Sequence, residues 1–180
     1  MKDALMGVAR VGVAALFVTC ASSWASAADT PDTWLTMKTK IALMTTEGVH
    51  TSDLNVDTVQ GVVTLHGKVG TDGEKATAEA TARRVEGVKD VKNLLQVVPA
   101  AKRDTVDHSD DQIKEGIEQA FKANRRINGN GIKVASVNQG VVLLSGKTES
   151  LAAHLEAVEV ANTVRGVRRV ATEVQVTAGT

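Results

Sequence analysis

Core-forming positions fall at helical spacing in DTWLTMKTKIALM, where Leu35, Thr39, Ala42 and Leu43 share one face. The same spacing returns in DDQIKEGIEQAF, through Ile113, Ile117, Ala120 and Phe121. Each stretch predicts an amphipathic helix opened by acidic residues, which suit the positive end of the helix dipole. The period then changes. Leu54 and Val56, like Ile132 and Val134, alternate as half-buried strands do, and a glycine-containing turn leads back through 62–68 or 141–147. These segments predict β-hairpins. A second helix follows over 71–86, with Ala78, Ala82 and Val85 before Gly87, and over 150–165, with Ala157, Ala161 and Val164 before Gly166. TDGE opens the first of these with capping-box spacing, and each glycine is placed to stop its helix. A last strand over 91–98 or 170–176 completes the order α-β-β-α-β, found twice.

Self-similarity fixes the register of the two copies. An offset of 79 carries Gly61, Val62, Val63, Leu65, Gly67 and Lys68 onto Gly140, Val141, Val142, Leu144, Gly146 and Lys147. Upstream of the turn the offset is 78, because VNQG has one residue more than VQG. A turn is where an insertion is most easily accepted. The chain therefore divides into an expected signal segment 1–27, a domain at 32–98, a polar linker at 99–109 opened by Pro99, and a second domain at 110–177. The fold class is α+β, each domain a three-stranded sheet covered on one face by two helices. Val63, Leu65, Val91, Leu95 and Val97 should point inward in the first copy, and Val142, Leu144, Val170, Val174 and Val176 in the second. Val62, Leu94, Val141 and Leu143 then lie on the other face. That is more apolar area than a solvated face needs, and packing of one repeat on the other or on the linker is the expected reason, with a ligand site as the alternative.

The N-terminus changes the picture by adding a compartment. Lys2 and Arg10 precede an apolar run over 11–21 and the small-residue site Ala25-Ser26-Ala27, the layout of a cleaved secretory signal. The expected location is the periplasm. Acylation at Cys20, giving an outer-membrane lipoprotein, is the alternative. Cleavage removes the only cysteine and leaves 19 basic against 20 acidic residues of the original 21 and 21, so neither a disulfide nor general nucleic-acid binding is expected.

Candidate chemistry is sparse. GVVLLSGKT ends like a phosphate-binding loop, but five residues separate Gly140 from Gly146-Lys147 where that loop has four, and they are largely strand formers. No nucleotide is expected. His50, His66, His108 and His154 are scattered and His66 is matched by Ser145, so neither a metal site, nor a cofactor, nor a catalytic residue is assigned. Gly70-Thr71-Asp72-Gly73 imitates an RNA-binding GXXG loop and reads as a helix entry. Gly61, Gly67, Gly87, Gly140, Gly146 and Gly166 are expected to serve the backbone, Gly67 and Gly146 by admitting the second helix closely. Two basic clusters remain, Lys122, Arg125 and Arg126 with Lys133, and Arg165, Arg168 and Arg169. They are the candidates for anionic lipid headgroups. Beyond the signal the aromatic residues are Trp34 and Phe121, the latter expected in the core and Trp34 at its rim or at an interface.

A duplicated α-β-β-α-β unit with a G-V-V-x-L-x-G hairpin and a G-V-x-x-V exit from its second helix, behind an export signal, resembles the BON domain family over 32–98 and 110–176. The resemblance implies a non-enzymatic envelope protein, with phospholipid-surface binding as its expected property, and it transfers no catalytic residue. The expected function is osmotic-stress support of the envelope through weak contacts with an anionic phospholipid surface. The alternative is a periplasmic protein–protein interaction module or accessory subunit of an envelope complex.

Overall fold

A computed structural model describes residues 31–177. The expectations placed on 1–27, signal cleavage and acylation at Cys20, lie outside the described residues. Domain 1 runs α1 (Asp32–Met44), β1 (Leu54–Val59), β2 (Val62–Val69), α2 (Asp72–Arg83), β3 (Asp90–Asn93) and β4 (Gln96–Val97). A 3-10 turn, Ala100–Lys102, leads into domain 2: α3 (Arg103–Ala123), β5 (Ile132–Asn138), β6 (Val141–Thr148), α4 (Leu151–Thr163), β7 (Arg169–Thr172) and β8 (Gln175–Val176). Each domain is an α+β unit in which β2 or β6 is central, antiparallel to the strand before it and parallel to the two short strands after α2 or α4.

The hairpins close through Gln60-Gly61 and Gln139-Gly140, with φ of 53° and 79° in the first and 48° and 71° in the second. Two successive left-handed residues make the two-residue turn whose twist matches that of the strands. Asp32 and Asp110, at equivalent positions, hold these turns. Asp32 accepts from the N–H groups of Gln60 and Gly61 at 2.7 and 2.8 Å, and Asp110 from those of Gln139 and Gly140 at 2.9 and 3.0 Å. Helix start and hairpin turn are thus tied together in both copies.

Burial follows the predicted periodicity. Leu43, Leu54, Val56, Val63, Leu65, Val91 and Leu95 form one core with Ala78 and Ala82, and Ile113, Ile117, Phe121, Val134, Val142 and Leu144 form the other with Ala157 and Ala161. The four alanines are fully buried. Small side chains let α2 and α4 sit close to their sheets. Thr71 caps α2 by accepting from Glu74 N–H at 3.1 Å, while the Glu74 carboxylate reaches back to Gly70 N–H at 2.8 Å. Ser150 caps α4 through Ala153 N–H at 3.0 Å.

Three features depart from the sequence reading. The last strand of each repeat is broken, into β3 and β4 or β7 and β8. The break faces Gly67 or Gly146, whose φ of 120° or 128° departs from regular strand geometry although the central strand continues, and Asn93 or Thr172 supplies a side-chain acceptor to the N–H two residues on. Val176, expected inside, is 41% exposed because β8 is only two residues long. The expected linker is largely helical, since α3 begins at Arg103 and runs for 21 residues. Its added turns are fastened to domain 1 by ion pairs from Arg103 to Asp53 and from Lys68 to Asp107.

The outer faces of the two sheets oppose each other, with β2 against β5. Val141 and Leu143 are buried there, Val62 and Leu94 half-buried. Domain 1 contributes a polar layer, the fully buried Thr64 and the nearly buried His66, which bonds Asp57 at 3.0 Å.

Candidate functional site

The seven candidate cations are all exposed. They do not form one patch. Arg169 pairs with Val141 at the hairpin end of β6, and Arg165 and Arg168 lie in the adjoining helix exit, where Arg168 N–H donates to Gly140 O. Lys133 pairs with Ser145, roughly 13 Å farther along β6, beside Lys122, which shares a groove with it. Arg126 is turned to Glu156 at 3.4 Å, which removes part of its field.

Gly146-Lys147-Thr148 ends a strand, with Lys147 exposed and Thr148 buried. No phosphate cradle forms. A Cβ on Gly146 would stand 2.0 Å from Gly131 O, and one on Gly67 2.0 Å from Asp53 O. The close neighbour is therefore the loop entering the hairpin, not the second helix as expected. Gly87 and Gly166, each at φ 96°, stand at the helix exits in the left-handed region. Among the described residues no group of histidine and carboxylate side chains is arranged to hold a metal.

Two carboxylates are held low by their partners. The Glu74 side chain is 5% exposed, and burial raises its proton affinity, but bonds from the His50 and Gly70 N–H groups at 2.5 and 2.8 Å outweigh that cost and lower its pKa. Asp57 is lowered by its bond to His66, against the opposing effect of burial. Glu173 behaves oppositely: burial raises it, and the nearby Asp57 adds to the shift. An open groove of about 620 Å³ runs between α1–β1 and β5–β6, with Thr36, Asp57, Lys133, Ser145 and Glu173 on its walls. Its lining mixes both signs of charge with Val59, Val134 and Ala135 and points to no particular ligand class.

A surface of which the sequence singled out only Trp34, at the core rim or at an interface, lies on α1. Leu35, Thr39 and Leu43 face the core, while Trp34, Met37, Ile41 and Met44 form a stripe along the opposite side, exposed by 50, 52, 56 and 70%. The helix is apolar on both sides. Lys38 and Lys40 flank the stripe, and the Lys38 ammonium sits 5.8 Å from the Trp34 ring centroid, within cation–π reach. In domain 2 the equivalent positions on α3 are Gln112, Glu115, Gln119 and Lys122, all exposed. The stripe is a property of one copy, so fold maintenance does not account for it.

The BON domain family matches residues 31–99 and 109–178. Osmotically-inducible protein Y of Escherichia coli (strain K12) is 32% identical over 140 residues, 77% of this chain and 69% of that one. Outer membrane lipoprotein DolP of Haemophilus influenzae is 32% identical over 117 residues, 65% of this chain but only 59% of its own length. Among solved structures, the C-terminal domain of CdsD, a structural protein of the type III secretion system of Chlamydia trachomatis, is 13% identical, covering 81% of this chain and 67% of that one. Its TM-score of 0.33 is too low to compare the arrangement of the domains. The family match, extending over both repeats and supported by relatives at this identity, makes this chain a member of the BON domain family, with two copies of the domain in tandem.

Proposed function

We propose that this chain is a non-enzymatic protein of the bacterial envelope, acting in osmotic stress from the periplasm, which makes weak and reversible contacts with anionic phospholipid surfaces through α1. The names of its relatives, one osmotically inducible and one an outer-membrane lipoprotein, support the setting. The observation that carries the contact is the exposed stripe Trp34, Met37, Ile41 and Met44 between Lys38 and Lys40. An amphipathic surface of this kind suits the headgroup boundary, where the apolar side chains enter and the ammonium groups stay with the phosphates.

The magnitudes fit weak binding. Each of the four side chains is already between about a third and a half covered by its own domain, so inserting the rest gains on the order of 1 kcal/mol apiece. Two lysines near an anionic surface add about 1 kcal/mol each. A total of roughly 6 kcal/mol corresponds to dissociation in the range of tens of micromolar, which is reversible. The basic clusters of domain 2 are proposed as a secondary, electrostatic contribution.

Co-sedimentation with vesicles tests the reading. Binding to phosphatidylglycerol-containing vesicles at low salt, reduced by high salt and weak on phosphatidylcholine alone, is expected. Absence of binding at low salt, together with retention of a defined envelope protein by α1, would establish the interaction-module reading instead.

A further inference from the structure

Glu173 lies at the interruption between β7 and β8, its N–H donating to Leu144 O at 2.8 Å, and its side chain enters the seam between the domains. Its Oε1 is buried without a hydrogen-bond partner. Around it domain 1 sets Asp57 from β1, Thr64 and His66 from β2 and Lys92 from β3. The Thr64 hydroxyl is near enough to favour the charged carboxylate, but the two make no hydrogen bond, and the hydroxyl too is buried and unpartnered. His66 spends Nε2 on Asp57 and leaves Nδ1 buried and unpaired. Lys133 and Lys147 line the adjoining groove from domain 2 and Asp32 from domain 1; both lysines are exposed to solvent.

An ionised carboxylate with an unpaired buried oxygen next to a second carboxylate is unfavourable, and a neutral carboxyl removes both penalties and gains a donor. We propose that this seam is a proton-operated latch between the two domains, closed while Glu173 is neutral and loosened when it ionises. Separation of the sheets returns Glu173 to water, so docking takes up a proton. The docked group holds its proton to higher pH than the separated one. The contribution to docking is thus complete below the ordinary glutamate range and is lost as pH rises through the raised value. Asp57 is shifted the other way and stays ionised throughout that window, which keeps its repulsion in force. The Lys68–Asp110 pair and the chain itself tether the domains when the seam loosens.

Spin labels on exposed, equivalent positions of α2 and α4 read the seam directly. Ala80→Cys and Glu159→Cys, in a Cys20→Ser background, provide one label per domain. The distance distribution should be narrow below the ordinary glutamate range, at about pH 4, and acquire a second, longer population at about pH 8, with unchanged far-ultraviolet circular dichroism. Glu173→Gln should lose that second population at both values. A distribution in the wild type that does not depend on pH overturns the latch, and so does an identical second population in Glu173→Gln. If His66→Gln abolishes the change while Glu173→Gln keeps it, the histidine is the switch and the assignment to Glu173 is wrong.

Discussion

Lys68 reaches from the central strand of domain 1 to Asp110 of domain 2, Nζ to Oδ2 3.4 Å, and the same carboxylate holds the Gln139-Gly140 turn. Both side chains are nearly buried, 11% and 5% exposed. One group therefore closes a hairpin within its domain and a contact between domains. Asp110→Ala leaves two backbone N–H groups without an acceptor and takes from the Lys68 ammonium one of its two carboxylates, Asp107 being the other, so a loss of about 3 kcal/mol in urea unfolding is expected. Asp32 performs only the first task, at a half-buried position. Asp32→Ala should cost about half as much, and equal costs would mean that the Lys68 contact adds nothing to stability.

Gly146 and Lys147 are neighbours with opposite expected sensitivity. Gly146→Ala places a methyl group 2.0 Å from Gly131 O at φ 128°, where neither the carbonyl nor the backbone angle can yield cheaply. A loss of roughly 3 kcal/mol is expected from the clash and strain together. Lys147→Ala, at an exposed position, should fall within about 0.5 kcal/mol of wild type. Thermal melts with and without ATP check both points. A nucleotide-dependent rise in the melting temperature that Lys147→Ala abolishes would restore the phosphate-loop reading.

Acid sensitivity should pass through Glu74. Its pKa is lowered in the folded protein from the ordinary 4.5, so the stabilisation is present above that value and disappears as pH falls through the lower, folded one. Glu74→Gln removes the titration. Its melting temperature should fall less steeply than that of wild type below about pH 4.5, although it starts lower because a neutral amide accepts the His50 and Gly70 bonds more weakly. Parallel acid limbs in the two proteins would assign the sensitivity to another carboxylate.

The hairpins, helices and domain number were legible because each rests on local signals that occur twice. Turn glycines, capping residues and a change of period all act within a few residues. What escaped rests on contacts distant in the chain. The helical start at Arg103 depends on Asp53, and the broken final strands depend on a glycine in the neighbouring strand. The α1 stripe escaped for a different reason. Comparing the copies selects what they share, and Trp34, Met37, Ile41 and Met44 are matched by polar residues. Their spacing alone, one apolar residue every three or four, was the available signal, and subtracting one repeat from the other would have found it.

That asymmetry supports the last prediction. Ile41 is 56% exposed at the middle of the stripe, on the side of α1 away from the buried Leu35, Thr39 and Leu43, so Ile41→Asp should leave urea stability within about 1 kcal/mol of wild type. It removes apolar area from the contact and introduces a charge that an anionic surface repels, which together cost on the order of 2 kcal/mol of binding, about thirtyfold in vesicle affinity. Removing charge from domain 2 provides the comparison. Lys122→Ala with Lys133→Ala, and separately Arg165→Ala with Arg169→Ala, should lower the affinity only about two- to threefold, mainly at low salt, because these exposed side chains belong to domain 2 and are screened. Gln119→Asp, the equivalent change on α3, should have no greater effect than those pairs. If Ile41→Asp binds vesicles as wild type does while either pair abolishes binding, the contact belongs to domain 2 and α1 is free to receive a protein.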